Sequence, residues 1–221
     1  MIYFSVGTTS ISLFGGIILA HTLNRIQRGS TLFRTLMIIP WAVPFVFSGY
    51  IWSWMLASGH GPIPDLLFRL GLTSKHISVF QDPTLSLLAV IIADAWPRIP
   101  FLCIIILAGL TRIPREIYES ARLDGADAIQ IFWKISLPLN KKPTLTAFFI
   151  TWIFSTRALD TIIAMTSGGG IGHSTYTLAY YIFDRFYHFF NYGEAAAAAV
   201  ILISITFVFA AIFINTLKER R

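Results

Sequence analysis

Apolar residues in this chain fall in long uninterrupted runs, separated by short polar stretches. Five runs stand out, over about Ile2–Leu23, Leu32–Leu56, Leu85–Leu110, Leu145–Met165 and Ala195–Leu217. Each approaches or exceeds the roughly 20 apolar residues that carry a helix across a bilayer. Pro40 and Pro44 lie in the second run, and Pro97 and Pro100 in the third. Proline removes a backbone donor, so these two helices are expected to kink and to satisfy the freed carbonyls on neighbouring helices. The pattern predicts an all-α, polytopic transmembrane helical bundle of about five spans.

Composition agrees. Hydrophobic residues make up 55% of the 221 and charged residues 13%, with a mean hydropathy of +0.68. Soluble domains carry about 25% charged residues, so a large soluble core with buried helices is excluded. The net charge of +6 forms no basic stripe. The bases sit between apolar runs, which reads as membrane topology and not as a nucleic-acid surface. Twelve Lys and Arg lie between the first and second runs (with Arg34 at the edge of the second), between the third and fourth, or after the fifth, against four on the other side: Arg69, Lys75, Arg185 and Arg157, the last within the fourth run. By the positive-inside rule the twelve-charge side is cytoplasmic, which places the N-terminus outside and the C-terminus inside. Met1 leads almost directly into apolar sequence, so no cleavable signal peptide is expected. Cys103 is the only cysteine, leaving no disulfide framework and no thiolate metal site within one chain.

One long polar stretch interrupts the pattern, "YESARLDGADAIQIFWKISLP" from Tyr118 to Pro138, on the cytoplasmic side. Pro114 is placed to begin a helix. Ile113, Ile117, Tyr118, Ala121 and Leu123 give one face, and Arg115, Glu116, Glu119 and Arg122 the other. Gly125 breaks the run. A second short amphipathic stretch follows through Ile129, Phe132, Trp133 and Ile135, with Pro138 expected to stop it. The small residues Ser120, Ala121, Gly125 and Ala126 would let a partner approach the backbone. Two readings stand side by side: a knob that docks into a groove of a soluble protein, and an amphipathic segment lying on lipid.

Glu119-Ser120-Ala121, then Gly125, then Ile135-Ser136-Leu137-Pro138 resemble the EAA loop of ABC-transporter permeases, with the family's spacing of nine residues between Gly125 and Ile135. Ser120 stands where Ala is usual. Leu36-Met37-Ile38-Ile39-Pro40-Trp41 with Pro44, Trp96 with Pro100-Phe101, Ala108-Gly109-Leu110 leading to Ile113-Pro114, and Leu123-Asp124-Gly125-Ala126 are similar to the maltose-permease-like importers of sugar type. Ser167-Gly168-Gly169-Gly170 with Ser174-Thr175 resembles that family's external glycine turn, with Ile171 where Pro is often found. The resemblance covers essentially the whole chain. It implies a type-1 ABC importer permease fold over residues 1–221 and a cytoplasmic coupling loop at 111–143. Family members usually have six spans, so it also implies that the first helix is lacking here.

The resemblance further implies an inner-membrane permease subunit that moves sugars or sugar-like solutes inward by ATP-driven alternating access. Its partners would be a cytoplasmic ABC ATPase dimer, a second permease subunit, an extracytoplasmic solute-binding protein and membrane lipid. Coupling to the ATPase would fall to Glu119, Ser120, Ala121, Asp124, Gly125, Ala126, Ile135, Leu137 and Pro138. Two other readings are an ion-coupled secondary carrier, against which no internal repeat is visible, and a truncated remnant that does not transport.

The remaining polar residues add little chemistry. There is no phosphate-binding G-x-x-x-x-G-K-[ST] and no H-E-x-x-H, so neither catalysis nor a cofactor or metal is expected in this chain. His21, His60, His76, His173 and His188 lie near run ends and read as interfacial. Asp94 and Arg98, four apart in the third run, read as a self-paired couple near the cytoplasmic interface with Arg98 snorkelling. The alternative is a pathway marker. Trp52 and Trp54 are expected in the outer aromatic belt, and Ala195–Ala199 at a close helix contact. Trp41, Trp152 and Asp160 are the candidates for the solute path, because aromatic faces stack on sugar rings and carboxylates bind hydroxyls.

Overall fold

A computed structural model of the chain describes residues 1–25, 30–73, 77–167 and 169–218. Among them there is no strand. Thirteen α-helices follow in order: α1 (Ile2–Arg25), α2 (Ser30–Ala42), α3 (Phe45–Met55), α4 (Pro62–Arg69), α5 (Pro83–Ala95), α6 (Ile99–Leu110), α7 (Arg115–Leu123), α8 (Ala128–Ile131), α9 (Leu137–Leu139), α10 (Lys141–Thr156), α11 (Asp160–Thr166), α12 (Leu178–Tyr187) and α13 (Tyr192–Lys218).

Among the described residues, three helical stretches are long and apolar enough to span alone: Ile2–Asn24, Pro83–Leu110 and Tyr192–Thr216. Two further spans are bent pairs. Thr35–Ala42 and Phe45–Met55 meet at 91°, and Lys141–Thr156 and Asp160–Thr166 at 51°. Counting each pair once gives the five spans read from the sequence. The bends are less uniform than the prolines suggest. Pro44 caps α3 with φ −57° and ψ 140°, and its ring disfavours the helical region for Val43, so the second span turns sharply there. The third span absorbs Pro97 in a 3₁₀ turn at Trp96–Arg98 and continues.

That continuity has a local cause. Proline at 97 leaves the carbonyl of Ala93, four residues back, without its helical donor. The Ser48 hydroxyl of α3 donates to that carbonyl at 2.8 Å and accepts from Trp96 Nε1 at 2.7 Å. The neighbouring helix thus supplies the missing donor, as the bilayer requires.

The α5–α6 span is central, with α1, α3, α10 and α11 packed around it and α13 at the edge against α12 and α10. Two apolar cores result. One gathers Phe4, Val90, Ile91, Ile162 and Met165, and the other Ala20, Leu102, Ile106, Leu110 and Ala147. Between them lies a buried polar layer: Thr9 with Ser155 at 3.3 Å, Ser12 donating to the Ala95 carbonyl at 3.2 Å, and the Ser48 bonds. Ala195 and Ala198 are buried where α13 meets α12. Trp54 is exposed, while Trp52 packs against the first core.

Candidate functional sites: the polar knob and the intramembrane cavity

The knob begins at Pro114, which caps α7 from outside the helix; the first helical residue is Arg115. The α7 helix ends on a Schellman motif. Gly125, at φ +81°, donates to the Arg122 carbonyl at 3.1 Å, and Ala126 to the Ala121 carbonyl at 2.9 Å. Left-handed backbone there suits glycine, and the space around Gly125 is open. The next helix starts on a capping box, in which Asp127 Oδ1 accepts from Gln130 N at 2.7 Å and Gln130 Oε1 from Asp127 N at 3.3 Å.

Pro138 does not stop the second stretch. A π-helical turn over Phe132–Ser136 precedes it, and the chain continues helically through α9 into α10. Pro138 follows that turn, in backbone that is already helical.

The knob is fastened at several points. Ser136 Oγ donates to Tyr118 Oη at 3.4 Å, linking its two arms. Phe132 sets its ring edge-on to His21 of α1, centroids 4.8 Å apart. Buried Asn140 donates through Nδ2 to the Ile106 carbonyl at 3.0 Å, and a methyl group on Gly109 would overlap Asn140 and Pro143. Entry and exit of the knob are therefore stapled together. A cavity of about 660 Å³ opens between it and the helix ends, lined by His21, Asn24, Arg115, Glu119 and Arg122 among others.

The expected apolar face of α7 is only partly inward. Ala121 is buried and Tyr118 half-buried, but Leu123 is 89% exposed and Ile117 is exposed too. Nine residues cannot carry both ends of that face around one helix, because Leu123 lies two positions from Ala121 and so on another side. Ala121 consequently offers no backbone approach to a partner. Glu119, Ser120, Asp124 and Gly125 are exposed, Ala126, Ile135 and Leu137 half-buried, and Pro138 exposed. Among the described residues, Arg115, Glu119 and Arg122 form no ion pair.

A second cavity, of about 210 Å³, is an open cleft whose floor is buried and whose rim, at Phe154, Arg157 and Asp160, is exposed. It is lined by Phe45, Asp94, Arg98, Arg157, Asp160 and Thr161, with Phe154, Ala158 and Leu159. Three chain breaks meet there: the α2–α3 bend, the 3₁₀ turn and the α10–α11 break. Asp94 and Arg98 are paired as the spacing suggests, with Nε and Nη2 each 3.0 Å from a carboxylate oxygen. They do not snorkel. Asp94 is 1% exposed and Arg98 8%, and Asp94 stands roughly 24 Å of helix from Leu110. Thr161 Oγ1 donates to Asp94 at 3.2 Å, and the Arg98 guanidinium lies 4.4 Å over the Phe45 ring. This close web holds the pair away from water, where reaching an interface would break it.

Of the expected path residues, Asp160 lines this cavity. Trp41 is exposed and stacks on Phe101 at 6.2 Å, whereas Trp152 is buried against Phe148 and Phe209. The structure does not bring the three together. It adds Arg157, Thr161 and Phe45, none of which any sequence spacing singled out; the unpaired Arg157 inside an apolar run was the available signal.

At the opposite end, the glycine turn packs on Tyr176, whose hydroxyl donates to Asp184 at 2.5 Å, and Asp184 also meets His188 Nδ1 at 2.8 Å. Burial, then the Asp184 hydrogen bond, pushes the Tyr176 phenol up to about 12, and the same bond leads in holding Asp184 below its ordinary value. His21 bonds within α1, and His173 sits edge-on to Tyr176. Arg28, Lys75, His76, Gly168, Arg220 and Arg221 lie outside the described residues.

A family model described as "Binding-protein-dependent transport system inner membrane component" matches residues 12–221. The chain is 34% identical to the sulfoquinovosyl glycerol transport system permease protein of Agrobacterium fabrum, covering 95% of this chain and 67% of that protein. It is 31% identical to a trehalose/maltose transport system permease protein of Thermococcus litoralis, covering 99% and 72%. In fold it matches a chain of a bacterial ABC transporter involved in import of the acidic polysaccharide alginate, with TM-score 0.83 at 20% identity over 99% of this chain and 78% of that one.

Proposed function

Because the chain belongs to the family of binding-protein-dependent transport system inner membrane components, we propose a division of labour for its two sites. The chain is a multi-pass permease subunit of an ABC importer. Our reading is that it passes sugars or sugar-like solutes, as relatives named for trehalose/maltose and sulfoquinovosyl glycerol suggest. ATP hydrolysis then belongs to a separate cytoplasmic ATPase dimer docked on the loop at 111–143. A second permease subunit completes the pathway, and an extracytoplasmic binding protein delivers the solute. Residues 1–221 form one permease domain, N-terminus outside and C-terminus inside.

The observation that carries this reading is the stapled knob. A transmitting element must shift as a body between two states and must differ in its contacts between them. The staple at Asn140 and the Tyr118–Ser136 link give rigidity. Exposed Leu123 offers an apolar anchor beside an unpaired Glu119, flanked by Ser120, Asp124 and Gly125. Ala121, Ala126, Ile135, Leu137 and Pro138 serve the shape of the knob. In the intramembrane cavity, Asp160 and Arg157 would meet the hydroxyls of a passing solute as acceptor and donor. Trp41 and Trp152 would join the path only through helix rearrangement.

Copurification tests the reading. A tagged chain should retain a nucleotide-binding ATPase subunit through detergent extraction, and Leu123→Asp with Glu119→Lys should release it. Retention by the double variant would remove the knob from the docking role.

A further inference from the structure

We propose that the two arms of the knob face different partners, and that the return arm, Ile129 to Lys142, rests on an anionic lipid leaflet. This goes beyond the permease function and needs neither ATPase nor solute.

Charge separates the arms. The first carries Glu116, Glu119 and Asp124 among its bases, whereas from Ala128 to Leu159 there is not one Asp or Glu. Lys134, Lys141 and Lys142 stand in that acid-free segment, exposed and, among the described residues, in no ion pair. The same segment exposes large apolar side chains: Ile129 by 70%, Trp133 by 61% and Leu139 by 55%. Apolar and aromatic residues next to lysines are the composition of an interfacial segment.

Position decides the occupant. Trp133 packs edge-on to Phe132, centroids 5.0 Å apart, and Phe132 packs on His21. His21 lies in the last turn of the span that ends at Asn24. Trp133 is thereby held at the level where a spanning helix leaves the bilayer, the depth at which tryptophan is enriched. Lys141 and Lys142 open α10, the next span, and mark the same level. A soluble partner docked there would have to displace headgroups. A leaflet with negative lipids satisfies the rings and the lysines together, each lysine favouring it about fivefold. Because this arm carries Phe132, Ser136 and Asn140, lipid contact also fixes the level of the whole knob.

The full-length chain in lipid nanodiscs tests this. Subtracting the emission of Trp133→Phe isolates Trp133 from the other five tryptophans. Phosphatidylcholine brominated high on its acyl chains should quench the difference signal, and brominated phosphatidylglycerol should quench it more. In K134Q/K141Q/K142Q the quenching by phosphatidylcholine should persist, while the preference for phosphatidylglycerol falls at least about fivefold. A difference signal that no brominated lipid quenches, or that is shielded only when ATPase subunits are added, overturns the proposal. An unchanged phosphatidylglycerol preference in the triple variant overturns its electrostatic half. Since both leaflets are identical and no transport is read, an error in topology or in the importer reading leaves these outcomes unaffected.

Discussion

At Asp94 and Arg98 the bilayer makes each residue a condition for the other. A buried charge left without its partner costs about 3–5 kcal/mol, and here Thr161 and Phe45 are shaped around the pair as well. Asp94→Ala should therefore cut the amount of folded protein in the membrane severely. Asp94→Leu with Arg98→Met should restore much of it, measured by membrane abundance and thermal aggregation. If the pair also belongs to the solute path, the double variant stays inactive in uptake despite its abundance; recovered uptake would make the pair purely structural. Gly125 poses the opposite case. Nothing surrounds it, so a substitution there acts through backbone conformation alone. Left-handed φ costs an L-residue about 1–2 kcal/mol, enough to distort the turn but not to unfold a membrane bundle. Gly125→Val should leave abundance nearly unchanged while uptake falls about tenfold or more, since 1.4 kcal/mol at a coupled equilibrium is a factor of ten. Normal uptake in this variant would count against the turn as part of the coupling surface.

Elements show which features a one-dimensional pattern can carry. Span positions were legible because burial in lipid demands long apolar runs whatever the neighbours are. The knob was legible because Gly125 and the amphipathic stretches on either side encode a turn locally, although the equally local Asp127–Gln130 cap was not read. The break at Arg157–Leu159 was not: it holds neither proline nor glycine, and it depends on how α11 packs against α3 and α5. Pro138 misled in the other direction, because a π-helical turn, invisible in apolar spacing, precedes it and the helix runs on through it. The outward turn of Leu123 was likewise hidden, since an amphipathic count does not say which apolar residues a partner will cover. The convergence of Arg157 and Asp160 on Asp94 joins residues more than sixty positions apart, beyond any spacing rule. The bent pairs bear on a topological expectation. If each pair is one span, a reporter active only in the cytoplasm is active after Arg221 and silent near Thr73, in line with the charge asymmetry. The same result at both positions would mean that one bent pair re-enters on its own side.

Across the whole molecule, the arrangement separates the energy source from the path. The chain has no phosphate-binding loop; on the proposed reading, solute passes the cleft at Asp94 and Asp160 while the knob acts as the lever. Purified alone, it should neither bind nor hydrolyse ATP, as judged by nucleotide fluorescence and phosphate release. In liposomes with a cognate ATPase and a second permease, solute delivered by a binding protein should accumulate only when ATP is supplied on the knob side. An ion-coupled carrier would instead accumulate solute under an imposed proton or sodium gradient with no nucleotide present, and that outcome would overturn the importer reading. The stapling of the knob adds a finer expectation within the same assay. Asn140→Ala removes the bond to Ile106 and gives the exit arm freedom relative to α6, so ATP hydrolysis should continue while solute moved per ATP declines. Equal loss of hydrolysis and uptake would show that Asn140 supports docking itself and not the transmission of movement.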